Sequence, residues 1–135
     1  MAIHAALMEP SRKCSANLDE LISKLREAKK EGTMNIFSYY SDHSVVDKNL
    51  WNEAGKLLAE AQKDLHDFLQ NLASDEEWRE CFTNADFLEN TLKILGEQLD
   101  SIKIGANGLA VITRLENISN NLSATLNTFE IECID

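Results

Sequence analysis

A chain of 135 residues, 44% hydrophobic and 27% charged, is long enough to bury a core without disulfide or metal staples. Five Gly and one Pro leave few places to turn, which predicts long helices, and no run approaches the ~18 apolar residues of a membrane span. A net charge of −10 repels nucleic acid and anionic membrane, favours solubility, and would steer a basic protein inward.

The N-terminal MAIHAALMEP has no Lys or Arg, and His4 interrupts its apolar patch. It lacks the form of a secretory signal and reads as a flexible tail over residues 1–9. Cys14, Cys81 and Cys133 are odd in number and show no paired spacing, so reduced thiols in a cytoplasmic setting are expected. Two glycosylation sequons, Asn117-Ile118-Ser119 and Asn121-Leu122-Ser123, read as chance without a secretory signal.

The first helical segment is predicted from Pro10 to Glu31. Cys14, Leu18, Leu21, Leu25 and Ala28 recur at threes and fours, Lys29 and Lys30 suit the last turn, and Gly32 stops it. The acidity lies beyond this segment: residues 1–32 hold six Lys/Arg against five Asp/Glu, residues 33–135 seven against eighteen. Residues 33–42, TMNIFSYYSD, are too apolar for a bare loop and read as a short helix or aromatic loop packed on the rest.

Ser44, with Asp47 three residues on, predicts the start of a second helix. Its stripe is Trp51, Ala54, Leu58, Ala61, Leu65, Phe68, Leu69 and Leu72, while Glu53, Lys56, Glu60, Lys63 and Asp67 form a solvated opposite face. Ser74 with Glu77 predicts a capping box for a third helix, whose stripe runs through Trp78, Cys81, Ala85, Leu88, Leu92, Leu95, Leu99 and Ile102. Thr83-Asn84 could break it, but the stripe continues in register. After GANG a fourth helix aligns Val111, Leu115, Ile118, Leu122, Leu126 and Phe129. The expectation is one all-α domain over residues 1–135, an antiparallel four-helix bundle with the aromatic segment between its first two helices.

Some positions that should face water carry no charge. Phe87 and Ile94 lie one heptad apart on the back of the third helix, among Asn90, Thr91, Gln98 and Ser101. On the fourth, Leu109 and Ile112 fall on the flank, followed by Asn120, Ser123 and Asn127, within a stretch (117–129) that has no charged residue. Interface cores favour such residues because desolvating charge is costly. The candidate partner-binding surface is therefore Leu109, Ile112, Asn120, Ser123 and Asn127, with Phe87 and Ile94 as a second patch if residues 33–42 leave it open. On this reading, aspartate at both 109 and 112 should weaken association and spare helicity.

Catalytic constellations are scarce. His4, His43 and His66 read as surface residues, no Cys and His share a metal-ligand spacing, and Lys63 and Tyr40 stand where a Glu-x-x-His motif needs Glu. GANG lacks the lysine and the strand of a phosphate-binding loop. Cys14 and Cys81 fall on apolar stripes as inert core thiols. No catalytic residue, metal site or cofactor is expected.

IGANGLAVITRLEN, residues 104–117, resembles the segment after the active helix of histidine-phosphotransfer domains, which are also four-helix bundles. Those domains carry a phosphorylatable His about ten residues before the Gly-Ala, and here that position is Leu95. The resemblance covers about a tenth of the chain and implies a phosphotransfer-like bundle without its phosphoacceptor. The reading from the residues is a non-enzymatic acidic helical protein that binds another protein, of inhibitor, adaptor or chaperone type. A basic partner or a homodimer would suit it, and a self-assembling structural subunit is the alternative.

Overall fold

The computed structural model describes residues 5–30, 48–103 and 108–133, with side chains placed for all of these except 28–30, 48, 50, 51, 108, 109 and 130–133. Four long helices, α1 (Glu9–Lys30), α2 (Lys48–Ser74), α3 (Ala85–Asp100) and α4 (Gly108–Cys133), pack as a bundle with no strand among the described residues. Side-chain pairs fix the directions. Asn17 donates to Asp64 at 3.0 Å and Lys24 to Glu53 at 3.0 Å, so α1 and α2 run antiparallel. Ser119 donates to Asp19 at 3.2 Å, and Arg26 pairs with Glu116 at 3.3 Å, which sets α4 antiparallel to α1. Gln62 and His66 of α2 meet the Leu99 carbonyl and the Asp100 carboxylate at the far end of α3. The square is closed, with α1 between α2 and α4, and α3 opposite.

The apolar stripes explain why. Leu18, Leu21 and Leu25 of α1, Leu58, Leu65, Phe68 and Leu72 of α2, Leu88, Leu92, Leu95 and Leu99 of α3, and Val111, Leu115, Ile118, Leu122 and Phe129 of α4 are all buried in one core. Each such side chain contributes ~1.5–3 kcal/mol on leaving water. Gly96 lets α3 come close to α2, since a Cβ there would sit 3.3 Å from Leu69 Cδ1.

Three expectations are corrected at the ends of the elements. Within the expected tail, Ala5–Met8 form a 3-10 turn, Met8 is fully buried, and the buried Ser11 hydroxyl donates to its carbonyl at 2.5 Å. The predicted capping box does not form: Ser74 closes α2 with its hydroxyl on the Asn71 carbonyl, and Asp75 accepts the Glu77 N–H at 3.0 Å. The third helix is also divided. Glu77–Cys81 is a 3-10 turn, Phe82 is extended, and α3 starts only at Ala85.

The division has a cause in Trp78. Its ring is 1% exposed, its indole N–H donates to the Leu72 carbonyl at 2.9 Å, and it packs 5.7 Å from Phe129. Phe82 meets the same ring edge-on at 4.9 Å and Phe68 at 6.1 Å. Outside, the Arg79 guanidinium lies 5.0 Å over the Trp78 ring and pairs with Asp86 and Glu89 of α3. A continuous helix through 82–84 would carry this aromatic plug off the end of the bundle. The Ser44–Asp47 start and the packing of residues 33–42 lie outside the described residues.

Candidate functional site

The uncharged stretch 117–129 divides into three parts. Ile118, Ser119, Leu122, Thr125, Leu126 and Phe129 are buried, and their hydroxyls find partners within the fold: Ser119 on Asp19, Thr125 on the Asn121 carbonyl at 2.9 Å. Asn120, Ser123 and Asn127 face α1. Asn120 lines a hollow with Asp19, Arg26 and Glu116, and Ser123 and Asn127 line its continuation beside Arg12, Ser15 and Asp19. The hollow at Asn120 is mostly polar, and both stretches are bordered by charged side chains of α1. Asn117, Asn121, Ala124 and Thr128 follow the opposite flank, toward α3.

Ile112 is 6% exposed and belongs to the core, which corrects its expected place on an open flank. The reason is the width of the buried arc. α4 touches both α1 and α3, so neighbouring pairs such as Val111–Ile112 and Ser119 beside Ile118 are both covered. The side chain of Leu109 lies outside the described ones. Of the α4 residues chosen from the sequence, Ile112 is core, while Asn120, Ser123 and Asn127 line the α1 side.

The second patch is open. Phe87 is 69% and Ile94 45% exposed, the large hydrophobics most open to water among the described residues. They stand two turns apart, ~10.5 Å along the axis, on the side of α3 that turns toward α4. Thr91 lies between them, its hydroxyl donating to the Phe87 carbonyl at 2.8 Å, and Asn90 and Gln98 lie beside them, with the exposed Glu97 one turn beyond Ile94. The strip runs into a shallow cleft of about 220 Å³ between the end of α3 and the first half of α4. Its floor is Ile102 and Ile118; its rim is Gln98, Ser101, Asn117 and Arg114. Arg114 meets no carboxylate among the described residues, unlike Arg26 and Arg79, each held by acidic partners. Sequence periodicity alone does not reveal this cleft, because it joins two helices. The available signal is Arg114 itself, the last basic residue of the chain.

The remaining reactive groups are ordinary. His66 Nε2 lies 2.8 Å from Asp100, an exposed link between α2 and α3. Among the described residues no group of three or more His, Cys, Asp or Glu could hold a metal ion. His4 and His43 lie outside the described residues. Leu95, at the position that the phosphotransfer resemblance marks, is 3% exposed in the core.

Cys14 is fully buried, and burial first, then the nearby Asp64 carboxylate, pushes its thiol from 9.0 up to about 12. Desolvation also raises Asp64, against the pull of the Asn17 amide. At pH 9 the native Cys14 thiolate is then about a thousandth of the total, against half in an unfolded chain. Site-resolved mass spectrometry after iodoacetamide labelling at pH 9 should show Cys14 alkylated at least ~100-fold slower in native than in urea-unfolded protein. Because the folded value is the raised one, stability falls as pH climbs from about 9 toward about 12.

Among the described residues no helix is long and apolar enough to cross a membrane. No protein-family model, curated protein or solved structure matches the chain.

Proposed function

We infer that this chain acts by binding protein rather than by catalysis, as an acidic helical inhibitor, adaptor or chaperone in the cytoplasm. The observation that carries the reading is the pair Phe87 and Ile94, open to water within a mostly uncharged strip of α3. A surface that holds large apolar side chains with few charges to desolvate is the composition of an interface core. The surrounding acidity adds steering: a partner with basic residues at the rim associates faster and loses that advantage in salt. Cys14, a buried thiol outside any disulfide, suits a reducing compartment.

The test is Phe87→Asp with Ile94→Asp. Both positions are exposed, so helicity should be unchanged and stability should move by no more than ~1 kcal/mol in total. Proteins captured from the source lysate by the immobilised wild type should be retained at least ~10-fold less by the double variant. Capture that is unchanged, or a variant that unfolds, would contradict the reading. The same strip would serve a self-assembling subunit, the alternative that the sequence raises.

A further inference from the structure

We propose that the cleft between α3 and α4 binds a small organic acid with a short apolar body, its carboxylate held by Arg114. The site goes beyond protein docking and uses neither Phe87 nor Ile94.

Charge singles the cleft out. The chain holds 23 Asp/Glu against 13 Lys/Arg, so a cation beside a groove usually has an acid near it. The hollow at Asn120 sets Arg26 with Asp19 and Glu116, and its continuation sets Arg12 with Asp19. A further hollow, between α1 and α2, sets Lys13 and Lys63 with Glu60 and Asp64. In the α3–α4 cleft Arg114 is the one charged residue among the described lining. Two acids close to it in sequence are engaged elsewhere: Asp100 lies 2.8 Å from His66, and Glu116 lies 3.3 Å from Arg26.

Hydrogen bonding is a separate sign. The exposed Gln98 and Asn117 amides and the Arg114 guanidinium stand on one rim, with no partner among the described residues. The carbonyls at the end of α3 already accept bonds from their own helix and from α2. The Glu97 carbonyl takes the Ser101 N–H at 3.1 Å, and the Gln98 carbonyl takes the Ser101 hydroxyl at 2.7 Å. The Leu99 carbonyl takes the Ile102 N–H and the Gln62 amide, each at 3.1 Å. Three donors around one hollow are thus left for an acceptor from outside.

These features select among anions. One guanidinium balances one negative charge, and its planar fork matches the two oxygens of a carboxylate. A phosphate dianion needs more than one cation, and a chain of net charge −10 repels it. The floor of Ile102 and Ile118 favours an acid whose charge is carried on carbon. At about 220 Å³, the volume of about seven waters, the cleft limits that body to a short alkyl chain or a single ring. So small a ligand in an open cleft binds with a dissociation constant on the order of millimolar.

The test titrates hexanoate and benzoate to ~30 mM into the full chain at constant ionic strength, reading NMR shifts of the Arg114 Nε–H and the Gln98 and Asn117 side-chain amides. Saturable shifts confined to the cleft are expected, with a constant of ~1–10 mM. Hexanamide should not saturate the site, and inorganic phosphate should bind at least ~10-fold more weakly than hexanoate. Arg114→Gln should weaken hexanoate ~10-fold or more with unchanged circular dichroism. Lys56→Gln, which removes the same charge from an exposed position on α2, should stay within ~2-fold of wild type. If Arg114→Gln does not fold, Gln98→Ala with Asn117→Ala replaces it, and a several-fold loss is expected. Shifts that never saturate, hexanamide binding as well as hexanoate, or indifference to these variants would overturn the proposal. Glutamate blocked at both ends, imitating an acidic side chain of a docked protein, should bind at least ~5-fold more weakly than hexanoate. Equal or tighter binding would assign the cleft to a protein's carboxylate and overturn the small-acid assignment. Capture through Phe87 and Ile94 is read separately, so either reading can fail without the other.

Discussion

Replacing Trp78 by alanine is expected to cost ~3–5 kcal/mol, a drop on the order of 10–15 °C in Tm for a chain of this length. The ring is 1% exposed and joins Phe82 and Phe129 in closing one end of the bundle. Three losses coincide: buried aromatic area, the cavity left behind, and the indole N–H on the Leu72 carbonyl. The Arg79 guanidinium also loses the ring beneath it, which loosens its hold on the start of α3. Trp78→Phe separates the contributions, since it keeps most of the area and drops the hydrogen bond; ~1 kcal/mol beyond the lost area is expected. Urea titration monitored by circular dichroism measures both. A Trp78→Ala protein within ~1 kcal/mol of wild type would mean that the end of the bundle is not closed by this residue.

Ile112→Asp should be at least as damaging, by ~4 kcal/mol or more. Ile112 is 6% exposed in the core, so aspartate there must either bury a charge or bind a proton at neutral pH. Ile112→Val, which removes one methylene, should cost only ~0.5–1.5 kcal/mol and serves as the control for packing. The comparison with Phe87→Asp is the informative one. The same change of apolar to acidic should unfold the bundle at 112 and leave it standing at 87. If Ile112→Asp folds with wild-type stability, α4 is rotated from the orientation described.

These residues also show how far the sequence could be read. The core stripes were legible because each helix repeats apolar residues at threes and fours for several turns: every described residue of the α4 stripe, from Val111 to Phe129, is buried. Ile112 was not legible, because a stripe drawn along one line underestimates the arc that a helix buries between two neighbours. The break before α3 was hidden for a different reason. Trp78, Cys81 and Ala85 keep helical spacing although the backbone between them does not stay helical, since the plug is placed by tertiary packing and by Asp75, not by periodicity. Ser74 and Glu77 form a sequence pattern that a nearer carboxylate outcompetes.

The candidate site was half legible. Phe87 and Ile94 stood out as apolar residues on the wrong side of a helix, and that is a one-helix property. Asn120, Ser123 and Asn127 share composition with Asn117, Asn121 and Thr128, but only the packing of α1 against α4 separates the two flanks. Arg114 gains its meaning from Gln98 and Ser101 across the cleft, residues that no local spacing connects to it.

Docking through α3 requires Phe87 to be open to solvent until a protein covers it. Hydroxyl-radical oxidation of the purified chain, diluted to nanomolar concentration and read out by mass spectrometry, tests it most directly. Phe87, 69% exposed, is expected to be oxidised at least ~10-fold faster than the fully buried Phe68 and Phe129. A Phe87 as slow as those two at every dilution would contradict it: the strip would then be covered by its own chain, for which residues 33–42 are the sequence's candidate, and would not be a docking face.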